Sequence, residues 1–307
     1  MNEEAQTSGT VLMVRPKRFG FHAEAAQSNV FASDDRGANL DAALREFDSV
    51  VEALQRAGVE VLLLDDTPNP PKPDAIFPNN WITFHADGTM VLYPMATAAR
   101  RLERNPEALR QLLEANGFEV RKVVDLSFHE RHGHFLEGTG SLVLDRPRRR
   151  AFANLSPRTD AAVIADFDDR LDYSTLVFEA NDRAGRPIYH TNVALSFGSR
   201  FAVLCTDAVA PEFRDLLIGE IEAGGRTVIE VDYDQMGSFA CNLIELKGRA
   251  APVIALSSAS LRSYRPEQRR TLERFGELVA ADIPTIEAVG GGSVRCMITD
   301  VHLPRSR

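Results

Sequence analysis

Asn80-Trp81-Ile82-Thr83-Phe84 turns at Asp87-Gly88 and returns as Met90-Val91-Leu92-Tyr93. Two short apolar runs joined by turn residues read as a β-hairpin. The pattern comes back three times. Ser141 to Leu144 turns through Arg146 to Arg150 and returns as Ala151 to Leu155. Asn192 to Ser196 turns at Gly198-Ser199 and returns as Phe201 to Leu204, and Asn242 to Leu246 turns at Lys247-Gly248 and returns as Val253 to Leu256. Each returning strand runs into a helical segment: Pro106 to Asn116, Thr159 to Phe167, Pro211 to Ala223 and Pro266 to Ala281. Further β-prone segments follow the helices, such as Phe118 to Val124, Thr175 to Phe178 and Thr227 to Val231.

Taking Asn80, Gly140, Asn192, Asn242 and Arg295 as equivalents gives steps of 60, 52, 50 and 53 residues. A period of that size marks a repeat in which no unit folds alone. The last unit, from Cys296, holds one hairpin strand before the sequence stops. The first has a second strand, Val11 to Val14, then a helix over Asp41 to Ala57 stopped by Gly58, and a strand over Val59 to Leu64. Pairing of the two ends completes the set. The expectation is α/β, a five-bladed pseudo-symmetric α/β propeller in one domain over residues 1–307, with no dividing linker. Residues 16–37, with Phe19, Phe21 and Phe31, read as a long loop, either a binding loop or a connector. Pro68 to Pro73 is a rigid connector.

With 44% hydrophobic and 26% charged residues among 307, the composition is that of a globular protein. A net charge of −9 and a pI near 5.4 argue against nucleic acid or an anionic membrane surface as partner. No apolar run approaches the length of a membrane span. The first residues are polar and acidic and do not read as a signal peptide. Cys205, Cys241 and Cys296 have no metal or disulfide spacing, and a reduced cytoplasmic enzyme is expected. Cys205 and Cys241 lie in apolar strands and read as core.

Cys296 follows Gly290-Gly291-Gly292-Ser293-Val294-Arg295, a turn with three Cβ atoms removed. Such a turn can approach a ligand closely, and a thiol at its mouth among backbone N–H groups favours the thiolate. Cysteine is also often a small buried hydrophobe. In a closed ring, equivalent positions face one channel, so Asn80, Glu137, His190, Asn192 and Cys296 are candidates to meet. His190 alone reads as a cap and Glu137 alone as a turn carboxylate. Together, a thiol, an imidazole and a carboxylate are the parts that covalent acyl-type chemistry needs.

Phe77-Pro78-Asn79-Asn80-Trp81, Leu136-Glu137-Gly138-Thr139-Gly140, His190-Thr191-Asn192 and Gly292 to Met297 resemble, in order, the signature blocks of the guanidino-modifying pentein superfamily. That superfamily includes arginine deiminase, dimethylarginine dimethylaminohydrolase and glycine amidinotransferase, and a five-unit propeller is its fold. The resemblance implies Cys296 as nucleophile, His190 as proton shuttle and Glu137 as catalytic carboxylate. It also implies that arginines in Met95 to Glu103, Arg100 or Arg101, and Arg158 in Ser156-Pro157-Arg158-Thr159, bind a substrate α-carboxylate. An Arg–carboxylate pair can be bidentate.

Arginine deiminases carry aspartates where this chain has Asn80 and Asn192. Amides both donate and accept, and suit a neutral head with C=O and N–H groups better than a cation. Together with Met13 to Pro16, Phe19 to Phe21 and Pro73 to Trp81, this is most similar to the citrulline-utilisation hydrolase (citrulline ureidase) branch. The expected reaction is hydrolysis at the ureido carbon of citrulline to ornithine, CO2 and ammonia. Alternatives are an arginine deiminase, dimethylarginine hydrolase or amidinotransferase acting on a guanidino substrate, and a non-catalytic binding pentein. Asp74 either gives a carboxylate to a substrate N–H or anchors its loop. The expected partner is a small ureido or guanidino amino acid, not nucleic acid or membrane, with homo-oligomerisation left open. His129, His132 and His134 lack an HExxH frame, position 133 being glycine, and neither metal nor cofactor is implied. Arg146, Arg148, Arg149 and Arg150 read as a solvated turn.

Overall fold

The structure, a computed structural model, describes residues 4–33 and 40–306. Part of the expected loop at 16–37, residues 34–37, lies outside the described residues, as do the ends of the expected 1–307 domain. Fifteen strands form five three-stranded sheets among the described residues. The chain runs β1 (Thr10–Arg15), α1 (Leu40–Arg56), β2 (Glu60–Asp65), β3 (Ile82–Phe84), β4 (Thr89–Leu92), α2 (Pro106–Ala115) and β5 (Lys122–Asp125). It continues through β6 (Val143–Asp145), β7 (Arg150–Asn154), α3 (Ala161–Leu171), β8 (Ser174–Phe178), β9 (Leu195–Phe197), β10 (Phe201–Leu204), α4 (Pro211–Ala223) and β11 (Thr227–Glu230). The last stretch holds β12 (Ile244–Lys247), β13 (Pro252–Ser257), α5 (Pro266–Glu273), β14 (Glu277–Ala281) and β15 (Thr299–Asp300).

Every sheet is built alike. An antiparallel hairpin supplies two strands, and a helix carries the chain across to a third strand parallel to the second. The sheet joining the two ends has the same form: β15 pairs antiparallel with β1 through Val11↔Asp300 and Leu12↔Thr299, and β1 runs parallel to β2. Middle strands are covered on both faces and are apolar throughout, as at Val11-Leu12-Met13 and Phe201-Ala202-Val203, all 0% exposed. Outer strands alternate; β2 buries Leu62 but exposes Glu60 and Leu63.

The crossover helices follow from capping and periodicity. Asn105 accepts the Ala108 N–H at 3.2 Å and Pro106 opens α2, whose Leu109 and Leu113 face the core. Asp160 accepts the Ala162 N–H at 2.8 Å to start α3. α1 buries Ala43, Phe47, Val50, Val51 and Leu54, one helical stripe. The helix expected over Pro266 to Ala281 stops at Glu273, and Glu277–Ala281 is the third strand of its sheet. A Cβ on Gly276 would stand 2.6 Å from the Pro252 carbonyl oxygen, so this glycine is where the chain closes onto β13.

The expected first hairpin strands also begin late. Pro78–Asn80, Thr191–Val193 and Val294–Met297 are short 3₁₀ turns, and Gly138–Ser141 is one helical turn. These turns carry Asn80, Asn192, Cys296 and the neighbourhood of Glu137, which takes those residues out of the ladder. Among the described residues, no helix is long and apolar enough to cross a membrane.

Candidate active site

The turns converge on a small cavity lined by Cys296, His190, Asn80, Asp74, Arg100 and Arg158, with Ala25, Asn29, Phe77, Tyr189 and Gly290 to Gly292 completing its wall. Its volume is about 20 Å³, room for little more than a water molecule. Glu137 and Asn192 sit directly behind this wall, bonded to His190 and Cys296 respectively.

Glu137 is fully buried. Its Oε1 accepts the Ala96 N–H at 3.0 Å, and its Oε2 accepts from His190 Nε2 at 2.8 Å and Arg158 Nη1 at 3.3 Å. Burial raises the carboxyl pKa, but Arg158, His190 and Arg100 outweigh it and hold the group well below the usual carboxylate range. For His190, burial is the largest influence and lowers its pKa to about 4, against the pull of Glu137. The imidazole is therefore neutral at neutral pH. An ionised Glu137 only accepts, so Nε2 carries the proton and Nδ1 keeps its lone pair. That nitrogen passes Gly140, where a Cβ would stand 2.8 Å from it and 2.5 Å from Asn80 Nδ2. Glycine here lets histidine and asparagine share one cavity.

Cys296 Sγ receives side-chain amide donors rather than the backbone N–H groups expected of its turn. Asn242 Nδ2 lies at 3.2 Å and Asn192 Nδ2 at 3.8 Å. The glycine turn has another physical basis. Gly291 sits at φ +65°, and a Cβ there would meet the Ala32 nitrogen at 2.5 Å. On Gly290 and Gly292 a Cβ would come within 2.9 Å of the Phe77 ring. The run packs against the protein's own loop and ring, and Tyr189 Oη donates to the Gly291 carbonyl at 2.9 Å.

Of the two adjacent arginines, Arg100 faces the cavity. It is held by Glu103 through two 2.9 Å bonds, and it donates to Asn80 Oδ1 at 2.8 Å and the Phe77 carbonyl at 3.1 Å. Arg101 instead turns to the Met95 and Ala96 carbonyls. Arg158 donates to Ala25 O at 2.6 Å and Ser28 Oγ at 2.8 Å, tying the loop after β1 over the cavity. Asp74 anchors the same loop through His22 Nδ1 at 2.6 Å while still lining the cavity.

Two expectations for the remaining charged residues need correction or comment. Arg146 is not in a solvated turn: it is 2% exposed and pairs with Glu4 at 2.6 Å and Asp300 at 3.0 Å. A charge alone does not show which side chain of a turn folds inward. His129 and His134 bond different aspartates, Asp166 at 2.9 Å and Asp160 at 2.7 Å. Sequence reading missed Asn242, Asn29 and Tyr189 as wall or sulfur partners. Asn242 was legible in principle, since the repeat marks its position, whereas Asn29 and Tyr189 carry no signal of their own.

Five three-stranded sheets of this form match the mixed α/β fold of pentein structures. A family model described as N,N dimethylarginine dimethylhydrolase, eukaryotic, matches residues 15–303, and the chain belongs to that family. The N-terminal domain of ArgZ, an arginine dihydrolase from the ornithine–ammonia cycle in cyanobacteria, solved as a Cys-to-Ser variant bound to substrate, superposes with a TM-score of 0.74. It is 16% identical, over 96% of this chain and 99% of that one. A Cys-to-Ala variant of AgrE with L-arginine gives a TM-score of 0.75 at 17% identity, over 97% of this chain but 40% of AgrE. A dimethylarginine dimethylaminohydrolase His-to-Gly variant, as its S-methyl-L-thiocitrulline adduct, gives 0.64 at 15% identity, over 95% and 99%. At these identities the likeness is one of fold. No curated protein sequence matches.

Proposed function

We propose that the chain is a cysteine-dependent hydrolase of a terminal C–N bond, and that the neutral ureido group of citrulline is the head its cavity suits best. The observation that carries this reading is the pair of amides. Among the described residues, Asn80 Nδ2 and Asn192 Oδ1 are buried without partners, one a donor and the other an acceptor. A ureido group offers a C=O to the first and N–H groups to the second, and no net charge needs compensation.

In this reading Cys296 Sγ bonds to the ureido carbon while His190 Nδ1 takes the thiol proton. The imidazolium passes that proton to the nitrogen that leaves as the C–N bond breaks. A water then gives its proton to His190 and its oxygen to the carbon. The C–S bond breaks, its electron pair returns to sulfur, and the remaining carbamate collapses to CO2 and an amine. Arg100 and Arg158 are the groups to meet the α-carboxylate, with Arg158 exchanging a loop contact for it. We further propose that the five sheets close one ring, that the chain is one domain, and that it works in a reducing cytoplasm with its three free cysteines.

A guanidino substrate is the second reading. It is favoured by the family match, by the arginine-bound neighbours, and by the Asp74 carboxylate in the cavity wall. A purely binding pentein would leave the convergence of Cys296, His190 and Glu137 without a use. The test is to incubate purified protein separately with L-citrulline, L-arginine and asymmetric dimethylarginine, and to quantify ornithine, citrulline and dimethylamine. Ornithine from citrulline as the fastest reaction supports the first reading. Citrulline released from arginine or dimethylarginine at a comparable rate overturns it.

A further inference from the structure

Asn242 stands two residues before β12, as Asn80 stands two residues before β3. It is 1% exposed. A buried asparagine kept for the fold ties backbone together at both ends of its amide. Asn154 does so, donating to Ile188 O at 2.5 Å and accepting from the Ala180 N–H at 2.6 Å. Asn242 does neither. Among the described residues its side-chain hydrogen bond goes to Cys296 Sγ at 3.2 Å, and its Oδ1 has no partner.

The amide presents Nδ2 to the sulfur, and an Oδ1 in that place could meet it only as acceptor of a weak S–H donor. A thiolate accepts and does not donate, and a hydrogen bond to an ionised acceptor is roughly twice as strong as one between neutral groups. A donor in this place favours the charged form of a buried sulfur over the neutral one.

We propose that Asn242 is a catalytic residue of the hydrolase proposed above: its amide donates to the Cys296 sulfur as the thiol gives its proton to His190 and again when the electron pair of the breaking C–S bond returns to it. The inference rests on Cys296 being the nucleophile. Asn192, at 3.8 Å from the same atom, is the weaker second donor.

The test is iodoacetamide alkylation of Cys296 across a pH series, quantified on its own peptide by mass spectrometry, in the unaltered protein and in Asn242→Ala and Asn242→Ser, with thermal unfolding as control. In Asn242→Ala the alkylation midpoint should rise by about one pH unit, an approximately tenfold loss of thiolate at neutral pH. In the same variant kcat should fall about tenfold with KM little changed, and Asn242→Ser, which keeps a small donor, should recover part of both. A folded Asn242→Ala protein with an unmoved midpoint overturns the proposal. So does a downward shift, which would mark an S–H bond to Oδ1. Should the alanine variant not fold, the isosteric Asn242→Asp is the readout: the midpoint should rise, and an unchanged one overturns the proposal. Alkylation reads the sulfur whatever the substrate. Failure of the parent reading shows separately, as turnover that survives Cys296→Ser.

Discussion

The His190 imidazole donates Nε2–H to Glu137 Oε2 across 2.8 Å, and neither residue has meaningful contact with solvent. The bond fixes which ring nitrogen is the base, and it links the site to the pH dependence of the fold. An unfolded histidine takes up its proton near pH 6.5, while folded His190 does so at about 4. Between those values the unfolded chain binds more protons, so this group's contribution to stability falls as pH drops. The loss approaches about 3 kcal/mol near pH 4.

Glu103 works the other way. Burial is the largest influence and raises its pKa from 4.5 to about 7 against the pull of Arg100, so its contribution falls as pH rises through that range. The check is therefore a comparison of variants. Urea midpoints for the protein and for His190→Asn, measured at several pH values between 7 and 5, should diverge in favour of the variant on acidification. A constant gap would show that His190 is not held neutral by burial.

Replacing the thiol tests the chemistry without disturbing the packing. Cys296 is buried in a cluster with Val294, Met297 and Ile298. Serine is smaller and similar in shape, so Cys296→Ser should unfold within a few degrees of the unaltered protein. An alkoxide is far harder to form than a thiolate, and turnover should drop by roughly three orders of magnitude or more. Retained turnover would remove the nucleophile from the mechanism.

Much of this architecture was legible because hairpin, helix and strand alternate with a visible period, and because middle strands are covered on both sides and must be apolar. The end pairing of β1 with β15 followed from counting incomplete units. The third strand of the last unit, Glu277–Ala281, was not legible: Glu277-Leu278-Val279-Ala280-Ala281 fits a helix as well as a strand until pairing with β13 decides. Candidate site residues were legible as types at equivalent places. Their partners were not, since Arg158 reaching Ala25 and Asn242 reaching Cys296 are contacts between segments far apart in sequence.

Arg146 shows the energetic side of that gap. Its guanidinium binds Glu4, Asp300 and the Phe84 carbonyl, and with its help both carboxyls are held well below their ordinary range despite burial. Arg146→Met removes the partner and leaves the acids buried, which should destabilise the fold by about 3–5 kcal/mol. Arg146→Lys, a point charge without the planar fork, should recover only part of it. A loss in Arg146→Met below about 1 kcal/mol in urea unfolding would place the arginine in a solvated setting after all.

At Gly291, φ is +65° and a Cβ would press on the Ala32 backbone and the Asn29 amide. Gly291→Ala therefore meets strain and overlap together, and should destabilise the protein by roughly 1–3 kcal/mol. Asn29 donates to the Gly291 carbonyl at 3.1 Å, so the loop over the cavity should loosen as well. Faster proteolysis within residues 16–33, alongside a lower melting temperature, is the expected result. An unchanged melting temperature would count against the turn being held this tightly.

The two asparagines of the proposed head-group site should not respond alike to added charge. Asn80 Oδ1 already accepts from Arg100 at 2.8 Å, so Asn80→Asp makes an ion pair with a guanidinium that is in place. Much of the new charge is neutralised there, and the main loss is the free Nδ2 donor. Asn192→Asp is different. Its amide nitrogen lies 3.8 Å from Cys296 Sγ, and among the described residues no arginine bonds its Oδ1. A carboxylate here repels the thiolate while attracting a cationic head group. Turnover of citrulline should fall sharply, and kcat/KM for citrulline relative to arginine should drop by about tenfold, or roughly 1.4 kcal/mol of differential transition-state binding. The same substitution should move alkylation of Cys296 to higher pH, an effect Asn80→Asp should not share. Measuring both ratios and both alkylation profiles separates charge selection from loss of a hydrogen bond. If Asn80→Asp and Asn192→Asp shift the ratio equally, Arg100 is not compensating the first. If neither shifts it, the amides do not read charge, and Asp74 becomes the group in the cavity wall that sets selectivity.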